Sequence, residues 1–283
     1  NNGFKEIKNL DLQKDNQYED TDAAAFDIDK DGDLDLYVVS GGNEYKESDK
    51  NYMDRVYLND GLGNFTRLQI SLPRTNGSSV SVSDFNNDGY DDLFLGSRSI
   101  TGFYGLSPYS FIMLNNGDNT LSPIEQQRYG MVTDSKWVDI NSDGKEDLIL
   151  AGDWMPITVL IQEDDLKFTN KTEKYGLSKT NGLWNVVDIK DFNKDGRIDI
   201  IAGNAGTNFK WKPSFKKPVK LYLDDFDDNL QPDPIIFYDF FGKYIPFPTK
   251  DKLDKQLPYL KKKFTNYNNF SNISDIKSLT GKA

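Results

Sequence analysis

One acidic pattern of nine residues returns along this 283-residue chain and constrains its fold more than any other feature. Written D-x-[D/N]-x-D-G-x-x-D, it stands as DIDKDGDLD at Asp27 to Asp35 and as DFNNDGYDD at Asp84 to Asp92. It returns as DINSDGKED at Asp139 to Asp147 and as DFNKDGRID at Asp191 to Asp199. A fifth copy, DFDDNLQPD at Asp225 to Asp233, has Leu230 in place of the glycine and Asn229 in place of the aspartate at position 5. The starts lie 57, 55, 52 and 34 residues apart. Self-similarity at such a period marks a repeat architecture, in which each copy is one supersecondary unit.

The segments between the loops define that unit. Each of the first four loops runs into a short apolar stretch that ends in small residues: LYVVSGG, LFLGSR, LILAGD, IIAGN. Runs of this length, rich in Val, Ile and Leu and bounded by glycine, read as buried strands. Two further strands joined by an Asn/Asp-Gly turn follow, as VYLNDGLGNFTRL and FIMLNNGDNTLSPI; the third copy, ITVLIQEDDLKFTN, lacks the turn glycine. Such turns supply the positive φ angles of a tight hairpin. A last strand, SSVSVSDF, SKWVDI or LWNVVDIKDF, leads into the next loop. Four strands per unit of about fifty residues is the pattern of propeller blades.

The spacing also has a chemical meaning. Alternate residues of a tight loop turn their side chains inward, so positions 1, 3 and 5 offer three oxygens. Glycine at position 6 permits the sharp turn. The carbonyl of position 7 adds an oxygen, and the aspartate at position 9 closes the shell. An all-oxygen cage with six to eight donors suits Ca²⁺ better than Mg²⁺. The side-chain candidates are Asp27, Asp29, Asp31 and Asp35; Asp84, Asn86, Asp88 and Asp92; Asp139, Asn141, Asp143 and Asp147; and Asp191, Asn193, Asp195 and Asp199. The carbonyl candidates belong to Asp33, Tyr90, Lys145 and Arg197. The fifth loop offers Asp225, Asp227, Asn229 and Asp233 and is left open. An Asx-rich turn without metal is the competing reading. An EF-hand is excluded, because it needs Glu at position 12 and flanking helices. Position 12 here is Val38, Leu95, Leu150 or Ala202, and the flanks read as strands.

Composition narrows the chemistry further. The chain has no histidine and no cysteine, which removes Cys/His zinc sites and imidazole-based nucleophile systems. With 34 Lys plus Arg against 45 Asp plus Glu, the formal charge is -11, which argues against a nucleic-acid partner. Four divalent ions would bring that charge to -3 (-11 + 8) and five to -1. No apolar run reaches the roughly 18 residues of a membrane span. The start, NNGFKEIKNL, has no apolar stretch behind a basic end and reads as a mature or excised chain.

The loops with their following strands resemble FG-GAP or VCBS-type repeats, the calcium-bearing blades of integrin α-subunit propellers. The segments DGDLDLYVVSGGNEY, MVTDSKWVDI, GDWMPITVL, LYLDDFDDNLQPDPI and KQLPYLKKKF are similar to large bacterial surface proteins related to cartilage acidic protein, with an ASPIC/UnbV-type region. This resemblance implies an all-β fold, a β-propeller of four-stranded blades with calcium in the loops. It implies an extracellular or bacterial cell-surface setting, associated with the outer membrane, and adhesion or ligand binding rather than catalysis. The expected layout is propeller blades over residues 1–235, and a hairpin and short α-helical tail over 236–283. NNGFKEI resembles the last strand of a preceding unit. Five motifs do not by themselves specify a closed ring, so either other parts of a longer protein or complex complete it or the chain is a fragment.

In the tail, PIIFYDF and KYIPF predict a hairpin around Phe241 and Gly242. Leu253, Leu257, Leu260 and Phe264 stand at near-helical spacing, with Pro258 as a kink or break, and a second short helix is expected from Ser274 to Leu279. Lys250, Lys252, Lys255, Lys261, Lys262 and Lys263 read either as a solvated helix face or as contacts to an anionic partner. The aromatics Tyr45, Tyr52, Tyr104, Tyr109, Trp154 and Trp211 lie in inter-strand loops, where they either fill packing or stack on a ligand. The functional expectation is a non-enzymatic surface module that captures a glycan or protein, or serves as a scaffold beside an outer-membrane uptake system. A propeller-type polysaccharide lyase or hydrolase, using Lys, Tyr, Arg or a carboxylate pair, is the alternative. A purely architectural spacer is a third.

Overall fold

The computed structural model describes residues 9–46, 49–206 and 209–282; the strand expected at NNGFKEI lies outside them. The chain divides into two compact units, one of residues 1–102 and 107–204, the other of residues 103–106 and 205–283.

In the first unit the predicted strands form antiparallel meanders. After a one-turn helix α1 (Leu10–Lys14), β1 (Asp20–Phe26), β2 (Asp35–Ser40), β3 (Arg55–Leu58) and β4 (Thr66–Leu68) make the first four-stranded sheet. The second holds β5 (Gly77–Ser83), β6 (Asp92–Ser97), β7 (Ser110–Asn115) and β8 (Leu121–Gln127). The third holds β9 (Met131–Val138), β10 (Asp147–Met155), β11 (Thr158–Gln162) and β12 (Phe168–Asn170). It continues through a short pairing of β10 into β13 (Gly182–Lys190) and β14 (Asp199–Asn204). In the β11–β12 hairpin, which lacks glycine, Leu166 takes the left-handed turn conformation at φ 57°.

The second strands of the second and third sheets are apolar on both faces because those sheets are covered on both sides. Leu93 and Leu95 of β6 pack with Phe26, Tyr37 and Val39 of the first sheet, whereas Phe94 packs with Leu148 and Leu150 of the third. Ile149 and Ala151 of β10 face Val187 of β13. Burial on two sides removes the alternation a one-sided sheet would show. Each such side chain contributes about 1.5–3 kcal/mol. The fourth copy keeps only one covered face. Ile200 and Ala202 join the core, while Ile201, the counterpart of the fully buried Tyr37, Phe94 and Ile149, is 53% exposed.

The first strands β1, β5, β9 and β13 pack against one another in sequence, as the inner strands of neighbouring blades would. A repeated hydroxyl stitches them. Thr21 Oγ1 donates to Gly77 O (3.0 Å), Ser78 Oγ to Val132 O (2.6 Å) and Thr133 Oγ1 to Trp184 O (2.8 Å). All three stand six residues before a loop's first aspartate. Asp22 and Asp134, one residue further on, accept the backbone N–H groups of Val80 and Val187. The small residues after each apolar run have a steric cause. A Cβ on Gly152 would lie 2.2 Å from Met131 O on the neighbouring strand.

A buried polar node ties β2 to β3. The Asp54 carboxylate accepts from Ser40 N (2.9 Å), Tyr37 OH (3.0 Å) and Thr75 Oγ1 (3.4 Å). Burial pushes its pKa up to about 7, against those hydrogen bonds and the neighbouring Arg55. The folded state therefore holds a proton that the unfolded chain releases near pH 4. The group's contribution is complete below pH 4 and is lost as pH rises towards 7. We expect Asp54→Asn in saturating Ca²⁺ to remove a stability slope of up to about 1.4 kcal/mol per pH unit across that window. Denaturant titrations of both proteins at pH 4.5, 5.5 and 6.5 check it. Parallel profiles would show that Asp54 does not titrate there.

The second unit contains a three-stranded antiparallel sheet of β15 (Lys220–Asp224), β16 (Asp233–Phe240) and β17 (Lys243–Pro246). Four short helices follow: α2 (Lys250–Gln256), α3 (Leu260–Lys263), α4 (Tyr267–Phe270) and α5 (Ile276–Thr280). The hairpin tip falls at Phe241 and Gly242, and the first tail helix ends before Pro258. The leucine stripe packs within its own unit: Leu253, Leu257, Leu260 and Leu279 share one core with Phe226, Ile235 and Phe237. Through Phe226 that shared core takes in the fifth acidic loop, so loop and helical tail belong to one compact unit. Lys250, one of the lysines weighed for an anionic partner, is buried and paired with Asp254 at 2.6 Å.

Candidate metal centre

All five acidic loops are closed by antiparallel strand pairs. The residue before position 1 is paired with position 9, as Phe26↔Asp35, Ser83↔Asp92, Val138↔Asp147, Lys190↔Asp199 and Asp224↔Asp233. Strands on both sides agree with the rejection of an EF-hand.

The loops share one internal hydrogen-bond plan. The position-1 carboxylate accepts the position-6 N–H, from Gly32 to Asp27 (3.0 Å), Gly89 to Asp84 (2.9 Å), Gly144 to Asp139 (2.8 Å), Gly196 to Asp191 (2.8 Å) and Leu230 to Asp225 (2.7 Å). Position 4 is left-handed in every copy, with φ of 63°, 58°, 60°, 62° and 61° at Lys30, Asn87, Ser142, Lys194 and Asp228. Position 6 follows at 98°, 90°, 83° and 83° in Gly32, Gly89, Gly144 and Gly196. A Cβ on Gly32, Gly144 or Gly196 would meet nothing within 4 Å, so the glycine answers a torsional demand and not a steric one. Leu230 meets the same demand at φ 68°.

Position 9 is a clamp. Asp35 Oδ2 accepts from Ile28 N (2.9 Å) and its Oδ1 from Asn59 N (2.8 Å). Asp147 likewise accepts from Ile140 N (3.2 Å) and Gln162 N (2.9 Å). Asp92 accepts from Asn115 N, Asp199 from Phe192 N, and Asp233 from Phe226 N. In the first, third, fourth and fifth loops the aspartate thus binds the loop's second residue, and in the first three it binds the following hairpin. Each engaged oxygen keeps a further lone pair for a metal.

Position 3 divides the loops into two kinds. In the second, third and fourth, the amide nitrogen of Asn86, Asn141 or Asn193 donates to Asp88, Asp143 or Asp195 at position 5, at 2.8, 2.9 and 3.2 Å. In the first and fifth, position 3 is a carboxylate. There Asp27, Asp29 and Asp35, and Asp225, Asp227 and Asp233, place oxygens within 4.8 Å of one another, close enough to hold a metal ion. The fifth loop, left open from its sequence, is therefore one of the two that gather three carboxylates among the described residues. Asp31 and Asp33 fall outside the first of those triads.

Several oxygens in these loops lack any partner. Asp27 Oδ1, Asp33 Oδ1, Asp92 Oδ2 and Asp227 Oδ1 are buried and accept no hydrogen bond. A buried, unsatisfied carboxylate oxygen costs free energy unless a donor or cation meets it. Burial, reinforced by neighbouring carboxylates, pushes Asp92 up to about 7 and Asp147 up to about 6, and raises Asp33, Asp35 and Asp233. A divalent cation would reverse that local balance. Hard oxygen donors with unmet lone pairs fit a cation of the Ca²⁺ type.

Two anchors have no local signature in the sequence. Asn115 Nδ2 donates to Ile28 O (2.9 Å) and Gln162 Nε2 to Phe85 O (3.1 Å), so the amide ending one sheet's third strand holds the loop of the sheet before it. The signal was the recurrent amide in VYLN, IMLN and VLIQ, which reads locally as a turn residue. Of the loop aromatics, Tyr52 and Trp211 are buried, and Tyr45 packs edge-on to Tyr52. Tyr104 and Tyr109 are exposed, the latter beneath Arg128.

Residues 27–95 and 139–202 match the FG-GAP-like repeat family, so the chain carries FG-GAP-like repeats in those two regions. Each match begins on a position-1 aspartate and spans two loops. No curated protein matches the chain. A solved lectin structure from Agrocybe aegerita, described as the basis of specific recognition of non-reducing terminal N-acetylglucosamine, is similar at 14% identity and a TM-score of 0.39. The match covers 78% of this chain, which spans about 64% of that structure's length.

Proposed function

We propose that the chain is a calcium-binding, non-enzymatic β-propeller module of a bacterial cell surface. It acts in adhesion or glycan or protein capture, or as a scaffold beside an outer-membrane uptake system. The nearer likeness to bacterial surface proteins related to cartilage acidic protein belongs to the same proposal. Among the described residues no helix is long and apolar enough to cross a membrane. The observation that carries the reading is the repeated hairpin loop with partnerless carboxylate oxygens. The ions are structural: each neutralises one acidic loop and pins it to the strand that follows.

Calorimetric titration of metal-free full-length chain with Ca²⁺ tests it. The expected result is four or five ions per chain, with Mg²⁺ a poor competitor. The loaded protein is then placed on glycan and surface-protein arrays, where retention in Ca²⁺ and release in EGTA are expected. Binding of no calcium would overturn the metal reading. Loading without any retained ligand would reduce the role to architecture.

A further inference from the structure

The second unit carries a basic and aromatic surface that the calcium loops do not use. Between Phe209 and Lys220 stand five lysines and no acidic residue, in a chain of formal charge -11; without them the remainder is -16 (-11 - 5). A continuous row of rings runs across the same unit. Phe209 meets Trp211 at 5.0 Å, Trp211 meets Phe247 at 5.0 Å, Phe247 meets Tyr238 at 6.2 Å, Tyr238 meets Phe240 at 6.2 Å, and Phe240 meets Phe241 at 4.7 Å. Trp211 and Tyr238 are buried in this row, while Phe209, Phe240 and Phe247 are partly open to solvent. Phe241, at the β16–β17 hairpin tip, is 94% exposed.

A second apolar tip stands beside the first. Ser214 and Lys217 bridge a tight turn whose outer residues are Phe215, 80% exposed, and Lys216. Asp239 Oδ2 joins the two turns, accepting from Lys217 Nζ (3.1 Å) and Gly242 N (3.3 Å). Lys210 lies over Phe247 and Lys220 over Tyr244. Two phenylalanines therefore project from one end of the sheet, with lysines around them.

We propose that this end of the second unit docks on an anionic lipid surface. The chemistry selects that partner. Exposed apolar area of this kind marks a contact site. Phenylalanine has no polar tip with which to bind a hydroxyl-rich ligand, and the Asp239 carboxylate that joins the two turns is held by Lys217. Charge complementarity requires anions, and the projecting rings require hydrocarbon; an anionic bilayer supplies both. Each lysine near such a surface raises partitioning about fivefold.

Vesicle flotation of the full chain in Ca²⁺ tests the proposal, using phosphatidylcholine alone and phosphatidylcholine with about one-third phosphatidylglycerol at about 0.1 M salt, where the screening length is about 10 Å. The expected result is at least about tenfold stronger binding to the anionic vesicles, released by high salt. Phe215→Ser with Phe241→Ser should lower it by about tenfold or more. Lys216→Ala should lower it about fivefold. Both side chains of the double variant stand in solvent, so it should melt as the wild type does. Failure of the wild type to float, equal binding to neutral vesicles, or unchanged binding of the double variant would overturn the proposal. So would dimerisation of the free protein through these phenylalanines, or capture by a soluble anionic polysaccharide in place of vesicles.

Discussion

Chelation with EGTA should lower the main thermal transition of the full chain by roughly 10–20 °C. A ligand that binds only the folded state stabilises it by about 2.7 kcal/mol when present at a hundred times its dissociation constant. The first unit holds four of the acidic loops, and two ions bound there at that loading, one of them at Asp27, Asp29 and Asp35, would contribute about 5 kcal/mol to its unfolding. For a protein of this size one kcal/mol moves the midpoint by about 2–4 °C. The effect should reverse on adding Ca²⁺ and much less with Mg²⁺, which demands a tight octahedral shell and gives up its water reluctantly. A calorimetric scan in EGTA that overlays the scan in Ca²⁺ would sink the metal reading. The loops would then be Asx-rich turns held by their own hydrogen bonds.

The second large effect separates the clamp from the metal. Asp147→Ala removes the acceptor of Ile140 N and Gln162 N at once, inside a closed part of the third sheet. Each enclosed donor left unmet costs about 1–3 kcal/mol, so a loss of about 2–6 kcal/mol is expected. That loss should persist in EGTA, because the clamp acts between backbone and side chain. Asp143, at position 5 of the same loop, is exposed and bonds only within the loop. Asp143→Ala should therefore cost under about 1 kcal/mol in EGTA and show its larger effect only with Ca²⁺ present. Urea titrations of both variants, with and without chelator, decide the matter. If the Asp147 variant matches wild type in EGTA, position 9 serves the cation alone.

Much of this arrangement was legible locally. The strands of the first three units follow from short apolar runs between Gly- and Asn-rich turns, and the acidic loops announce themselves by spacing. The break at Pro258 and the turn at Phe241–Gly242 rest on backbone chemistry that two or three residues carry. Contacts between units were not legible. The hydroxyls of Thr21, Ser78 and Thr133 read as ordinary strand residues until their partners, more than fifty positions away, are placed beside them. Asn115 and Gln162 read as hairpin residues for the same reason.

The fifth loop illustrates the division. Its altered letters, Asn229 and Leu230, argued against it, yet Leu230 adopts the left-handed turn and three carboxylates still converge. Amino-acid order alone determined the period, the hairpin loops and the oxygen-rich chemistry, because turn torsions and ligand spacing act over a few residues. Only tertiary structure decided which carboxylates meet, which faces of each strand are covered, and that the last acidic loop shares its core with the helical tail. Those outcomes depend on packing between segments far apart in the chain, where burial and not neighbouring sequence sets the balance.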